Sequence, residues 1–301
     1  MTFRPPALRP GDRVAVVSPA GPANTVRVEH GMELLRSWGL VPELGKHALA
    51  RDGYLAGSDA DRLADLTAAV RDPGIRAVLA TRGGYGAQRI LDGVPWQLLA
   101  DDPKLLVGFS DITALHLAVW QAAGLASLYG PGMAWDSERL GASGLDSARS
   151  AMMTDAAVRI VVDPAEPGAS VVVPGVARGP LLGGNLSLVA ASVGAGLPSL
   201  SGAILLLEEV GEAPYRIDRM LTQLRRSGAL DGIVGVAIGQ LTSCGSVDSV
   251  LADRLGDLGV PVLGGLPIGH GPGQLTVPLG TPATLDVGAS TLVVEAAVGS
   301  V

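Results

Sequence analysis

The stretch Leu105-Leu106-Val107-Gly108-Phe109-Ser110-Asp111 decides how the rest of the sequence is interpreted, because an apolar run there meets a serine and an acid. Residues 105–108 are typical of a buried strand, and a helix is predicted from Asp111 to about Ala123. A serine at such a junction lies on a sharp turn that presents its hydroxyl above the edge of the sheet. The next backbone N–H points into the same space, which is the pattern of a nucleophile with half of an oxyanion hole.

The same position also fits a purely structural serine. Ser110 would then be the N-cap of the following helix, and Asp111 would complement the helix dipole. The strict Gly-x-Ser-x-Gly pattern fails because Ile112 stands in the place of the second glycine, which disfavours an ordinary α/β-hydrolase. From the residues alone, both interpretations of Ser110 stay open.

Strand and helix patterns alternate on both sides of this turn. The predicted strands lie at 14–18, 41–44, 77–81 and 125–129, and the predicted helices between them lie at about 25–38 and at 59–71. Strands separated by segments of helical length favour a parallel sheet with helices on both faces.

The pattern becomes mixed after about residue 140. The predicted elements there are a helix at 141–154, strands at 203–207 and 233–238, a helix at 214–227, and short β segments after the tight loop 269–273. The turn-rich segment 163–169 is typical of a linker or surface loop. We therefore expect an α/β protein with an N-terminal parallel-sheet domain over 1–142, a linker over 143–175, and a β-rich α/β C-terminal domain over 176–301.

Composition excludes several classes of protein. Of 301 residues, 48% are hydrophobic and 17% are charged, against about 25% charged in typical proteins, so the chain is neither disordered nor a coiled coil. The net charge is −7 and the basic residues are scattered, so we expect neither nucleic acid nor a membrane as a partner. A single cysteine, Cys244, excludes an internal disulfide, and the histidines lack the spacing of a metal site. Without a signal peptide or a run of about 20 apolar residues, a cytoplasmic protein is expected.

A nucleophilic serine needs a general base. His270 is the candidate, because it lies in the segment 265–280, GLPIGHGPGQLTVPLG, where flanking glycines allow tight bends and leave the imidazole uncrowded. His116 lies on the helix that follows Ser110 and is expected to pack against its neighbours.

The acid that orients the base is expected at the end of a buried strand. The apolar run 203–207 leads directly into Glu208 and Glu209. Successive side chains of a strand point in opposite directions, so only one of the two carboxylates can face the site. The resulting chain order of Ser, Glu and His is the order that α/β-hydrolases use.

Two glycine-rich loops have open roles. Residues 82–86, RGGYG, follow a strand and open a helix, but Arg89 replaces the third glycine of the dinucleotide-binding pattern, so nucleotide binding is disfavoured. The alternative is that Gly84 brings a backbone N–H close to a reacting carbonyl. The turn Gly183-Gly184-Asn185 could cap a helix or contact a ligand.

Taken together, these motifs resemble the LD-carboxypeptidase family of serine peptidases, which includes murein tetrapeptide carboxypeptidases and microcin C immunity peptidases. The motifs that carry the resemblance are RGGYG at 82–86, GFSD at 108–111, LEE at 207–209 followed by PYRIDR at 214–219, and GH at 269–270. The resemblance covers nearly the whole chain, beginning with VAVVSP at 14–19.

The resemblance implies a two-domain fold and a set of catalytic roles. Ser110 would be the nucleophile, His270 the general base and acid, and Glu208 the carboxylate that orients His270. The backbone N–H groups of Gly84 and Asp111 would form the oxyanion hole, and no metal or cofactor would be needed. The family usually has Asp after the catalytic Glu, whereas this chain has Glu209.

The resemblance also implies a substrate. The expected reaction releases terminal D-alanine from murein tetrapeptide by hydrolysis of an L,D amide bond during peptidoglycan recycling, and family members suggest a homodimer. The alternative is a microcin C immunity-type hydrolase of peptidyl or aminoacyl nucleotides. That branch uses aromatic residues to stack on the base, and residues 153–179 contain no Trp, Tyr or Phe. A non-catalytic ligand-binding protein is a third possibility, which the intact serine, glutamate and histidine disfavour.

A carboxypeptidase must also bind the free carboxylate of its substrate in a chain that is acidic overall. Arg82 is the candidate, because it precedes the Gly84 loop and its guanidinium suits a carboxylate. Its loop neighbour Tyr85 is a second candidate for substrate contact. The structural alternative for Arg82 is an ion pair with an acid such as Asp111.

Overall fold

The computed structural model describes residues 2–134 and 137–299. The strands of the described residues are β1 (Arg13–Val17), β2 (Val41–Leu44), β3 (Ile75–Ala80), β4 (Leu105–Gly108), β5 (Ser127–Tyr129), β6 (Val158–Val161), β7 (Val172–Val173), β8 (Val176–Asn185), β9 (Ile204–Val210), β10 (Gly235–Thr242), β11 (Val262–Leu263), β12 (Val277–Leu279), β13 (Pro282–Asp286) and β14 (Thr291–Val294). The α-helices are α1 (Thr25–Ser37), α2 (Asp59–Arg71), α3 (Leu98–Asp101), α4 (Thr113–Ala123), α5 (Ser137–Met153), α6 (Leu186–Ala191), α7 (Pro214–Arg226) and α8 (Asp248–Leu255), and short 3-10 helices cover Ala87–Gly93 and Ser110–Ile112.

The first sheet has the strand order β12-β5-β4-β3-β1-β2, and the pairs among β1 to β5 are parallel. Alternate residues of β1 face opposite cores. Val14 and Val16 pack with residues of α1 and α5, whereas Ala15 and Val17 pack with residues of α2 and α4. A strand that is apolar on both faces needs this cover on both sides. The predicted parallel sheet with helices on both faces is confirmed.

The second sheet has the order β6-β14-β13-β8-β9-β10-β11-β7. Its centre, β8 to β11, is parallel, and antiparallel strands extend it on both sides. One face packs against α6, α7 and α8. The other face packs against Tyr129 and β12, which belong to the first sheet. The expected α/β fold with a β-rich C-terminal part is therefore confirmed.

Near its C-terminal end, the chain returns from the second sheet to the first. Strand β12 pairs antiparallel with β5, so residues 277–279, which follow most strands of the second sheet in the sequence, complete the first sheet. The segment 143–175 contains the end of α5 and the strands β6 and β7. Helix α5 begins at Ser137 rather than at the predicted residue 141, and Gly141 interrupts it with a φ of 66°.

Strand β8 was not predicted because glycines and a proline break its apolar pattern. The structure shows why glycine is needed near its end. A Cβ on Gly184, where φ is +138°, would lie 2.7 Å from the Tyr129 ring and 2.7 Å from Thr113 Oγ1. The strand can approach the first sheet only without a side chain there. The prediction of a turn at Gly183-Gly184-Asn185 is wrong, because these residues are the end of β8. Asn185 caps α6 by accepting a hydrogen bond from the Leu188 N–H, so the helix starts directly after the strand.

Functional groups gather at the carboxyl ends of parallel strands. In the first sheet, β1, β3 and β4 are neighbours, and the loops that follow them contain residues 18–21, 82–86 and 109–111. In the second sheet, β8 and β9 place Asn185 beside Glu208. Open α/β sheets bind ligands at this edge. Among the described residues, no helix combines the length and apolar character that crossing a bilayer requires.

His116 lies buried beneath the end of β4, where it packs as expected. Its Nδ1 is 2.8 Å from Ser127 Oγ and its Nε2 is 3.0 Å from the Gly108 carbonyl oxygen. Burial lowers the pKa of His116 to about 4. In the unfolded chain the histidine has a pKa of about 6.5. Between these two pKa values, the histidine is therefore neutral in the folded protein but protonated in the unfolded chain.

This buried histidine predicts acid sensitivity. The contribution of neutral His116 to the free energy of unfolding is fully present above about pH 6.5. By pH 5 the free energy of unfolding falls by about 2 kcal/mol, because the unfolded chain binds the extra proton. We expect His116→Gln to flatten the dependence of unfolding free energy on pH between 7.5 and 5. Urea denaturation of the wild type and the variant at each pH measures this dependence. If the free energy of unfolding changes with pH equally in the two proteins, His116 is not the source of the acid sensitivity.

Candidate active site

Ser110 lies in a strained turn at the end of β4. Its φ is 63°, in the left-handed region that residues other than glycine seldom adopt. Neither the 3-10 helix Ser110–Ile112 nor α4 is capped by a side-chain hydrogen bond. The interpretation of Ser110 as a helix cap is therefore wrong. A strained strand-to-helix turn of this kind is the geometry of a nucleophile elbow.

The loop 82–86 lies directly against this turn. A Cβ on Gly83 would meet Ser110 Cβ at 2.7 Å and the Asp111 nitrogen at 3.0 Å, so only glycine allows this approach. The Asp111 carboxylate ties the two segments together by accepting a hydrogen bond from the Ala87 N–H at 2.8 Å. Burial raises the pKa of this carboxyl group.

The backbone N–H groups around Ser110 differ in their partners. The Ser110 N–H donates to the Tyr129 hydroxyl at 3.0 Å. Within residues 2–134 and 137–299, neither the Gly84 N–H nor the Asp111 N–H donates a hydrogen bond to a protein acceptor. The two donors that the resemblance implies are thus not engaged by a protein acceptor in this part of the chain.

Glu208 and His270 are in direct contact. His270 Nδ1 lies 2.7 Å from Glu208 Oε2. Glu208 is fully buried at the end of β9, whereas the His270 side chain keeps 15% of its surface exposed. The other carboxylate oxygen, Oε1, accepts hydrogen bonds from the Tyr129 hydroxyl at 2.6 Å and from Asn185 Nδ2 at 3.3 Å. Both oxygens of this buried carboxylate therefore have donors, as a buried charge requires.

Glu209 points away from the histidine. It accepts hydrogen bonds from the Ser187 N–H at 2.9 Å, the Ser187 hydroxyl at 2.6 Å and Asn185 Nδ2 at 3.0 Å. These contacts hold the first turn of α6. Of the two carboxylates that the sequence left open, only Glu208 contacts His270.

The loop that carries His270 is held by Gln240 on β10. The Gln240 side chain accepts a hydrogen bond from the Gly271 N–H at 2.7 Å and donates to the Pro272 carbonyl at 3.2 Å. The Phe109 ring packs on the imidazole with 4.7 Å between ring centroids. Since Phe109 precedes Ser110, this contact keeps the histidine beside the serine turn. In the described part of the chain, no hydrogen bond joins Ser110 to His270.

A pocket of about 330 Å³ opens beside His270. Its lining includes three arginines, Arg27, Arg82 and Arg139, together with Phe109 and the buried Gln274. The pocket thus offers guanidinium groups in a chain whose net charge is −7. A guanidinium group suits an anionic ligand such as a carboxylate.

Arg82 does not pair with Asp111. The Asp111 carboxylate is buried and faces the Ala87 N–H, while Arg82 is exposed. An ion pair between Arg82 and Asp111 is therefore wrong. Tyr85 is 53% exposed and lies outside the pocket lining, where its ring meets the ring of Tyr54 edge-on at 5.6 Å.

Two residues at the site were not singled out from the sequence: Tyr129 and Gln240. Tyr129 ends β5 and Gln240 lies near the end of β10, so a polar residue near the carboxyl end of a buried strand was the available signal. That signal is shared by many structural residues, and it does not tell which neighbours a side chain meets.

Comparisons with known proteins agree with this architecture. Residues 14–130 match the LD-carboxypeptidase N-terminal domain and residues 178–285 match the LD-carboxypeptidase C-terminal domain. A putative carboxypeptidase of Streptomyces coelicolor is 47% identical, with 97% of this chain and 96% of that protein covered. A probable murein peptide carboxypeptidase of Bacillus subtilis is 35% identical, with 99% and 96% covered. The chain belongs to the LD-carboxypeptidase family and is a hydrolase of the peptidase class.

Solved structures show the same fold. A muramoyltetrapeptide carboxypeptidase from Oxalobacter formigenes superposes with a TM-score of 0.83 at 28% identity, covering 94% of this chain and 98% of that chain. An MccF-like protein from Bacillus anthracis superposes with a TM-score of 0.89 at 23% identity, covering 98% and 100%. At that identity the second likeness concerns the fold alone.

Proposed function

We propose that this protein is a serine carboxypeptidase that hydrolyses an L,D amide bond and releases terminal D-alanine from murein tetrapeptide. The observation that carries the proposal is the 2.7 Å contact between His270 and the buried Glu208, next to a serine held at a φ of 63°. Membership of the LD-carboxypeptidase family supports the reaction class. The relative named as a murein peptide carboxypeptidase supports the substrate class.

The proposed mechanism begins at the serine hydroxyl. With Nδ1–H donating to Glu208, His270 Nε2 is free to take the Ser110 proton as Oγ attacks the peptide carbonyl. The Glu208 carboxylate stabilises the imidazolium. Collapse of the tetrahedral intermediate breaks the C–N bond, and the imidazolium gives its proton to the leaving D-alanine nitrogen. Water then attacks the acyl-enzyme with His270 as base, which frees the tripeptide and regenerates the serine.

The developing oxyanion needs two donors. Gly84 and Asp111 supply them in this proposal, because Asp111 follows Ser110, the loop that contains Gly84 lies against the Ser110 turn through Gly83, and the Ser110 N–H is already engaged by Tyr129. Removal of a single donor of this kind costs about 3 kcal/mol in measured cases.

The experiment that tests the proposed substrate compares two classes of substrate. The wild-type enzyme is given murein tetrapeptide and, separately, an aminoacyl sulfamoyl adenosine, and products are quantified by mass spectrometry. We expect kcat/KM to favour the tetrapeptide by at least about 100-fold, a difference of about 2.7 kcal/mol. Preference for the nucleotide substrate would transfer the protein to the immunity-type activity.

Arg82 is proposed to bind the terminal carboxylate of the substrate, with Tyr85 contacting substrate further from the scissile bond. Amidation of that carboxylate should lower wild-type kcat/KM by about 10- to 100-fold, the loss expected for a hydrogen bond between charged groups. The Arg82→Ala enzyme should be almost indifferent to the same amidation.

The matched control is Arg89→Ala. Arg89 is also exposed, but it pairs with Asp59 and lies outside the pocket. This variant should keep the full amidation penalty. If the losses from Arg82→Ala and from amidation simply add, the direct contact is refuted.

A further inference from the structure

Tyr129 joins the nucleophile turn to the acid that orients the base. Its hydroxyl accepts the Ser110 N–H at 3.0 Å and donates to Glu208 Oε1 at 2.6 Å. Glu208 Oε2 in turn contacts His270 Nδ1 at 2.7 Å. A continuous chain of three hydrogen bonds therefore runs from the serine backbone to the imidazole.

This chain spans the two sheets. Tyr129 ends β5 of the first sheet, and Glu208 lies near the end of β9 in the second. Tyr129 is fully buried, and its ring packs so closely against Gly184 that a Cβ there would lie 2.7 Å from it. The phenol thus fixes the separation between groups that the two halves of the molecule supply.

The phenol stays a donor at every working pH. Burial and the neighbouring Glu208 carboxylate raise the pKa of Tyr129 well above 10. The titratable groups that face its ring are Glu208 from β9 and the neutral His116 from α4, whose ring centroid lies 5.9 Å away. A 2.6 Å bond from a hydroxyl to a carboxylate is short and charge-assisted.

Two consequences follow for the reaction. Acceptance of the Ser110 N–H removes that group from the oxyanion site and holds the strained turn. Donation to Oε1 disperses part of the Glu208 charge, so the carboxylate attracts the His270 proton less strongly. A phenylalanine would keep the ring and lose both effects.

We propose that Tyr129 is a positioning residue that sets both the Ser110 turn and the basicity of the Glu208–His270 pair. This inference rests on the proposed function only in taking Ser110, Glu208 and His270 as the catalytic groups, and it is independent of the substrate.

The test measures nucleophile reactivity with a fluorophosphonate, a serine-directed probe that needs no natural substrate. Tyr129→Phe should lower the second-order rate of labelling at Ser110 by about 10- to 100-fold, the range for deletion of a hydrogen bond to a charged group. With the preferred peptide substrate, kcat should fall while KM changes little. The acid limb of the kcat/KM profile should move to higher pH, because the undispersed Glu208 charge holds the imidazolium more strongly.

The control is Ser127→Ala on the same strand. Ser127 is buried and bonds to His116, so this variant also loses a buried hydrogen bond but leaves Ser110 and Glu208 untouched. Its labelling rate should stay within about twofold of wild type. If a folded Tyr129→Phe protein is labelled at the wild-type rate, the role of Tyr129 is overturned and the proposed mechanism is not. If the probe does not label Ser110 in the wild-type protein, Ser110 is not the nucleophile, and both this inference and the proposed mechanism are overturned.

A gentler substitution keeps the test valid if Tyr129→Phe does not fold. Site-specific 3-fluorotyrosine at position 129 retains the hydroxyl and makes it a stronger donor. The acid limb of the kcat/KM profile should then move to lower pH, opposite to the Phe variant. An unmoved profile would overturn the proposal.

Discussion

Replacing Ser110 with alanine is expected to lower turnover by several orders of magnitude while the protein stays folded. Loss of a triad serine removes the covalent path altogether and leaves only the residual catalysis of the binding site. Folding should be little affected, because the Ser110 hydroxyl caps no helix and the residue is only half-buried. Steady-state release of D-alanine, with circular dichroism and thermal unfolding on the same samples, measures both effects.

Ser110→Gly is the matched control for strain. Glycine accepts a φ of 63° without penalty, so this variant should be inactive yet about 1 kcal/mol more stable than wild type. If Ser110→Ala retains more than about a tenth of the wild-type rate, Ser110 is not the nucleophile.

The second large effect separates the two neighbouring glutamates. Glu208→Gln should lower kcat by up to about 10⁴-fold, as the loss of an orienting carboxylate does in serine proteases, because the amide neither fixes the His270 tautomer nor stabilises the imidazolium. Glu209→Gln should instead lower stability, since donors face both carboxylate oxygens and the amide nitrogen would therefore meet a donor in either orientation. Its kcat per folded molecule should remain within a few-fold of wild type.

Kinetics normalised to the folded fraction, together with urea unfolding, distinguish these outcomes. Equal losses of kcat in the two variants would mean that the carboxylates act as one unit through Asn185, which contacts both. A larger loss in Glu209→Gln would transfer the orienting role to that residue.

The first sheet could be predicted from the sequence because its signals are local. Apolar runs of four or five residues bounded by Gly and Pro marked β1, β3 and β4, and α2 begins and ends where its pattern does. Strand β8 escaped prediction because the contacts that require Gly184 come from Thr113 and Tyr129, which are distant in sequence.

The residues of the candidate site likewise differ in whether local sequence patterns could mark them. Ser110, Glu208 and His270 occupy positions that local patterns and a family resemblance could mark. Tyr129 and Gln240 could not be found this way, because their roles depend on which strands become neighbours. Tyr129 touches Glu208 across 79 residues of sequence, and Gln240 touches Gly271 across 31. Long-range pairings of this kind become visible only in the folded chain.

The most direct test of the account is chromatographic analysis of wild-type enzyme with murein tetrapeptide, in which tripeptide and free alanine are quantified in the same sample and the alanine is resolved by chirality. We expect equimolar tripeptide and D-alanine from the wild-type enzyme, and no product above background from Ser110→Ala at the same folded concentration. Intact tetrapeptide, cleavage at a different bond, or undiminished release by the serine variant would contradict it.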